Sequence, residues 1–264
     1  MAETIAGESG IHSVAGAVIF AILYVPLFFF FIKQAIGRPT YVYIVTSLFC
    51  ALRIAAFIIR AMLADVPKDG NDLSLFITFE VIYNVGFFGL LYSAYTLVLD
   101  RALLSDAPLP DGPISRITRR RPLFRIVLMA AVAVGITGAI EAAQINSPSA
   151  MSTGSTLRKV AVYLFLILSI LVAFQTVLLI RAESSYGSYK TVNAGFGSTH
   201  GMYILAVISL LLVAREAFFT ATSNDLTKQD NEDLWYPLSA LTELIAVVLF
   251  AAPGLVPSRA ELPT

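Results

Sequence analysis

The sequence predicts an all-α fold, a polytopic membrane bundle of seven transmembrane helices, on three observations. Of its 264 residues 57% are hydrophobic and only 14% are charged, and the mean hydropathy is +0.78, far more apolar than a water-soluble domain. A hydrocarbon core about 30 Å thick requires about 20 apolar residues per helix, and seven stretches of that size fill most of the chain. The connections between them are too short to hold another folded unit, so residues 1–264 read as one membrane domain.

The first stretch, Ser13 to Lys33, follows an acidic lead that lacks the basic n-region of a signal peptide, so this helix directs its own insertion. Gly37-Arg38-Pro39 separates it from the second, Tyr41 to Ala64, and Pro67 to Asp72 separates the second from the third, Leu73 to Leu99. A Pro- and Arg-rich connection, Ala102 to Pro122, leads to the fourth, Leu123 to Ile145. The fifth runs from Leu157 to Ile180, the sixth from Thr199 to Ala221 and the seventh from Leu234 to Val256. Pro26 and Pro253 fall inside the first and seventh, where neighbouring helices can satisfy a freed carbonyl. Gly195 to Gly201 reads as a turn in which Ser198 or Thr199 caps the sixth helix.

Charge distribution sets the expected orientation. If alternate loops share a side, one set holds eleven basic residues (Lys33, Arg38, Arg101, Arg116, Arg119 to Arg121, Arg125, Arg181, Lys190 and Arg259). The other holds five, namely Arg60, Lys68, Arg158, Lys159 and Lys228. The positive-inside bias therefore predicts N-out/C-in, in the plasma membrane or another membrane of the secretory pathway. The Arg116 to Arg125 cluster reads as a topology anchor, and Asp100-Arg101 as an interfacial pair whose arginine reaches out to the headgroups.

Ionisable residues inside a membrane cost about 2.5 to 3.5 kcal/mol each unless they face protein or water, which makes them candidate site residues. The second stretch aligns Thr46, Cys50, Arg53 and Arg60 on one stripe; the third places Glu80 and Asn84 one turn apart. Gly86, Gly89 and Ser93 form a small-residue strip suited to close helix approach. The sixth offers Ser209, Arg215 and Glu216, and the seventh aligns Tyr236, Ser239 and Glu243. These positions predict a polar cavity in the outer half, lined by helices two, three, six and seven. Arg53, Arg60, Glu80, Asn84, Arg215, Glu216, Ser239 and Glu243 would bind the ligand there. The competing expectation is a set of structural ion pairs joining Arg53 or Arg60 to Glu80 or Glu243.

No catalytic or cofactor constellation emerges, so the chain is expected to be non-enzymatic. A retinal Schiff base needs a lysine in the seventh helix, and none follows Lys228. Two histidines, His12 and His200, lie at opposite ends and cannot share a metal. Eighteen basic residues balance eighteen acidic ones, which gives no ground for nucleic acid as a partner. The partners expected are membrane lipids and a small amphipathic ligand, bound or translocated through the outer cavity. Two alternatives are a receptor that senses an external ligand and engages a cytoplasmic protein at the basic loop, and a structural scaffold.

Leu52-Arg53-Ile54, Val213-Ala214-Arg215, and Trp235-Tyr236 with Glu243 resemble a fungal family of seven-helix membrane proteins of unknown function. The resemblance spans almost the whole chain and implies the same helix count and similar contexts for Arg53, Arg215 and Glu243. A more distant similarity, in topology and outer-half charge, is to the fungal RTA-like proteins, associated with lipid translocation and toxicant resistance.

Overall fold

The computed structural model describes residues 10–65, 72–105, 119–142, 144, 147–186, 195–258 and 261. The loop positions Pro67 to Asn71 and Asp106 to Pro113, and the basic Arg116, Lys68, Lys190 and Arg259, lie outside them. Among the described residues the chain is helical, without a β-strand, and seven helices are long and apolar enough to cross a membrane. These are α1 (Val14–Gly37), α2 (Tyr41–Asp65), α3 (Leu73–Leu104), α4 (Arg121–Ala142), α5 (Pro148–Tyr186), α6 (Gly201–Thr222) and α7 (Glu232–Phe250).

Successive helices pack side by side, most extensively α1 with α2 and α4 with α5. The bundle therefore has an N-terminal end, where α1, α3, α5 and α7 begin, and a C-terminal end, where they finish. α3 is the central helix, buried on every side from Gly89 to Ala102. The outer surface is apolar: Ile22, Phe29, Leu48, Ile126, Ile167 and Leu210 are all exposed, while most of the charge inside the spans is turned inward. Such a surface is stable only in a hydrocarbon solvent.

α1, α3 and α5 run on to Gly37, Leu104 and Tyr186, past the expected Lys33, Leu99 and Ile180, and three further boundaries also differ from the sequence expectation. α5 starts at Pro148, nine residues before Leu157, because a proline at the first helical position leaves no N–H unsatisfied and the Ser147 carbonyl accepts from Met151 N at 3.0 Å. This opening turn is polar, so hydropathy alone hides it. α7 stops at Phe250, so Pro253 lies in the terminating turn and not inside the helix. There Gly254 adopts a φ of +81°, and the Pro253 carbonyl accepts from Gly197 N at 2.8 Å. The Gly195–Gly201 turn is itself helical from Phe196 to Thr199; Ser198 folds back onto Gly195, leaving α6 without a side-chain cap.

Inside α7, Tyr236–Ala240 widens to a π-turn in which Leu241 N reaches Tyr236 O. Pro237, with no N–H to donate, sits in this turn. The π-turn ends three residues before Glu243 and carries Ser239, whose hydroxyl meets that of Tyr83 on α3.

Close approach shapes two helix pairs. A Cβ on Gly89 would lie 2.8 Å from Val45 Cγ1, and one on Gly86 3.1 Å from Arg53 Nη1, so the small-residue strip of α3 does bring α2 close. A Cβ on Gly154 would stand 2.1 Å from Ala142 N, and one on Gly138 2.7 Å from Arg158 N. The backbones of α4 and α5 therefore touch near the N-terminal end.

Candidate functional site

At the middle of the bundle, Arg53 of α2 grips Glu243 of α7 with two hydrogen bonds, Nε to Oε2 at 2.7 Å and Nη2 to Oε1 at 2.6 Å. Its Nη1 donates to the Tyr83 carbonyl at 2.7 Å. Arg215 Nε lies 2.8 Å from the same Glu243 Oε1, as an ion pair whose N–H is not aligned for a hydrogen bond, and Arg215 Nη1 pairs with Glu216. Two guanidiniums and two carboxylates thus form a neutral set, all at most 2% exposed.

Aromatic rings wall this set in. Arg53 stacks 3.7 Å from the Tyr83 ring centre and Arg215 4.0 Å from that of Phe87. The Tyr83 hydroxyl shares a 2.8 Å hydrogen bond with Ser239 Oγ, which closes the side facing α7. Desolvating four charges is tolerable only because each finds an opposite charge at contact distance. The arrangement can hold helices α2, α3, α6 and α7 in place, and none of its four charged residues lines the cavity described next.

The cavity lies elsewhere. About 340 Å³ of space opens between α3, α4, α5 and α6, whereas the charge pattern alone predicts α2, α3, α6 and α7. That volume is at the lower end of the range of small-molecule sites. Its deep part is apolar, lined by Val85, Val132, Ile136, Val162 and Phe165. Its end toward the N-terminal side is polar, with Glu80, Asn84, Arg158, Lys159 and Gln229. Measured along α5 from Met151 to Phe165, the lining extends about 21 Å.

At that polar end, Glu80 pairs with Arg158 at 2.6 Å, not with Arg53 or Arg60. Asn84 turns its amide onto its own helix, donating to the Glu80 carbonyl at 2.9 Å. Lys159 lines the cavity with no carboxylate partner among the described residues.

A second group borders this end. Arg60 lies 3.9 Å from the Trp235 ring centre, donates to the Asp230 carbonyl at 3.2 Å and sits 3.9 Å from Glu232. Glu232 in turn accepts from the backbone N–H groups of His12 and Ser13, which ties the start of α1 to the start of α7. Asp230 ends the short helix Leu226–Asp230, is 1% exposed, and neither of its carboxylate oxygens has a hydrogen-bond partner. Burial pushes the Asp230 carboxyl up to about 7, with Glu80 adding to the shift and Arg60 and Arg158 opposing it.

Of the eight residues singled out from the sequence, Glu80 and Asn84 line the cavity. Arg60 lies among the residues bordering it, and Arg53, Arg215, Glu216, Ser239 and Glu243 belong to the closed set. Arg158, Lys159 and Asp230 went unrecognised. The first two fall among the basic residues of one membrane side because the fifth helix seemed to start at Leu157, just before them; the Ser147-Pro148 start signal would have placed them almost three turns inside it.

At the C-terminal end, Asp100-Arg101 is an internal clasp and not an interfacial pair. Arg101, 3% exposed, binds Glu183 of α5 through Nε at 2.8 Å and Nη2 at 3.0 Å, and its Nη1 donates to the Ser198 carbonyl at 3.1 Å. Asp100 pairs with Arg121 of α4. Gly201 makes room: a Cβ there would stand 2.1 Å from Arg101 Nη1.

A seven-helix bundle with an apolar exterior, buried ion pairs and an amphipathic cavity defines an integral membrane protein of the multi-pass class. The chain belongs to the family described as domain of unknown function DUF7702, whose model matches residues 8–258. No curated protein and no solved structure matches it.

Proposed function

We propose that this protein is a non-enzymatic membrane protein that binds, and moves, a small amphipathic molecule or lipid in the cavity between α3, α4, α5 and α6. The observation that carries this reading is the division of the cavity into an apolar depth and a charged end, the shape of an amphipath with its headgroup toward the N-terminal side. The resemblance to RTA-like proteins points to the same ligand class. The N-terminal end faces outward on this reading, with the C-terminal end in the cytoplasm of a secretory-route membrane.

Filling the cavity tests it. In liposomes, the wild type accelerates translocation of a fluorescent lipid above protein-free vesicles, and Ile136→Trp with Val162→Trp abolishes the gain while circular dichroism stays unchanged. Equal background for the folded wild type and variant would sink the translocation reading. Orientation is checked separately: Cys50 is buried, so a cysteine placed at Ser147 or Arg38 and challenged with an impermeant maleimide reports each end.

A receptor reading draws on one further observation. The same two helices, α3 and α5, carry the Glu80–Arg158 pair at the cavity and the Arg101–Glu183 clasp at the opposite end. A ligand that separates the first pair can bias the second. Ligand-dependent protection of Arg116 to Arg125 from hydrogen exchange, with no lipid flux, would favour this reading and a cytoplasmic protein partner.

A further inference from the structure

The charge balance at the polar end of the cavity narrows the ligand class. Its lining carries one acid, Glu80, and two bases, Arg158 and Lys159; Glu80 is already held by Arg158. Lys159 is left as an unpaired cation among the described residues, facing space that becomes apolar within two turns. An anionic headgroup placed there neutralises Lys159 and can share Arg158, whereas a cationic one meets two like charges.

Asp230 adds the second half of the argument. Gln229, its neighbour in sequence, lines the cavity, and Arg158, which pairs with Glu80, is within electrostatic reach of Asp230. An ionised Asp230 would place a second carboxylate beside Glu80 in a buried setting where neither of its oxygens finds a donor. An incoming anion would then make three negative groups around Arg158 and Lys159.

We propose that the cavity takes a single-chain amphipath with an anionic headgroup, held by Lys159 and Arg158, and that its binding is coupled to uptake of one proton by Asp230. The inference rests on the cavity reading above. The proton adds to a carboxylate oxygen of Asp230 and leaves when the anion leaves; no other bond changes. The charged and titratable groups around Asp230 are Arg60 on α2, Glu80 on α3, Arg158 on α5, Glu232 at the start of α7, the exposed His12 before α1, and Asp225 with Lys228 on its own short helix. Burial holds the Asp230 carboxyl at about 7, within the range where such a linkage operates.

The test uses the full chain in phosphatidylcholine nanodiscs and dodecanesulfonate, an anion whose charge does not change with pH. Wild-type affinity is expected to fall about tenfold between about pH 6 and about pH 8, the loss set by one linked proton. Asp230→Asn flattens the profile at the tight level, and Lys159→Gln weakens binding at both pH values. A lysophosphatidylglycerol arm, compared with the sulfonate, shows whether a lipid headgroup or a free acid is preferred; tighter binding of either supports the anionic assignment. Sulfonate binding with a flat wild-type profile, or a pH dependence that survives in Asp230→Asn with His12 intact, would overturn the proton linkage alone. Tighter binding of dodecyltrimethylammonium would overturn the headgroup assignment. No binding by any probe at any pH would remove the cavity reading itself.

Discussion

Arg53 and Arg60 stand on one face of α2, about 10 Å apart along the helix, and both are fully buried, yet they belong to different kinds of surroundings. Around Arg53 the Glu243 carboxylate is paired through both oxygens, and the rings of Tyr83 and Phe49 pack on the guanidinium. Around Arg60 the pairing is incomplete, Asp230 has no donor for its carboxylate, and a cavity opens beside Glu80 and Arg158. An intramembrane charge is thus ambiguous by itself. What separates scaffold from site here is whether each buried carboxylate is held by a cation, as Glu243 and Glu216 are and Asp230 is not.

The largest test of this contrast is Glu243→Gln, which leaves Arg53 and Arg215 facing one neutral amide. Breaking such a set costs about 3 to 5 kcal/mol, so the variant should unfold at much lower denaturant concentration. Replacing the pair together, Arg53→Met with Glu243→Leu, should cost less than the single change. If Glu243→Gln instead kept full stability and lost only ligand binding, the closed set would have to be counted as part of the site.

Next in size is Gly154→Ala. The added methyl meets the α4 backbone at Ala142, which cannot rotate away, so α4 and α5 must separate at the rim of the cavity. Overpacking of this kind costs about 1 to 3 kcal/mol, and thermal unfolding should register it.

Asp230 tests the open side through pH. Its folded carboxyl titrates at about 7 against 3.8 for the free group, so the folded state holds a proton that the unfolded chain releases. This contribution is complete below about pH 4 and is lost as pH rises through about 7. Asp230→Asn should remove that decline and be the more stable form above neutral pH, as followed by unfolding temperature across the range. A wild type whose stability rises over the same interval would contradict the assignment. The smallest effect on stability belongs to Lys159→Gln, within about 0.5 kcal/mol, because no ion pair is broken.

The fold was legible because seven runs of the required length have no other use in a chain this apolar. The midplane pair was legible too: Arg53 and Glu243 sit at the centres of helices two and seven. Its exclusion from the cavity was not, since that depends on where α4 and α5 cross at Gly138 and Gly154, a packing fact with no periodic signature. Arg158 was hidden because the polar turns before it lower the average of any hydropathy window. Arg101 resembles a surface arginine until Glu183, distant in sequence, is brought against it by the fold.

The two ties between α3 and α5 have opposite polarity: α3 supplies the acid, Glu80, at the N-terminal end and the base, Arg101, some 32 Å away, while α5 supplies Arg158 and Glu183 in reverse order. Were α5 threaded upside down during synthesis, arginine would meet arginine at one face of the bilayer and glutamate would meet glutamate at the other. Only one direction of α5 relative to α3 satisfies both ends, so the two pairs together encode the parallel arrangement of these helices.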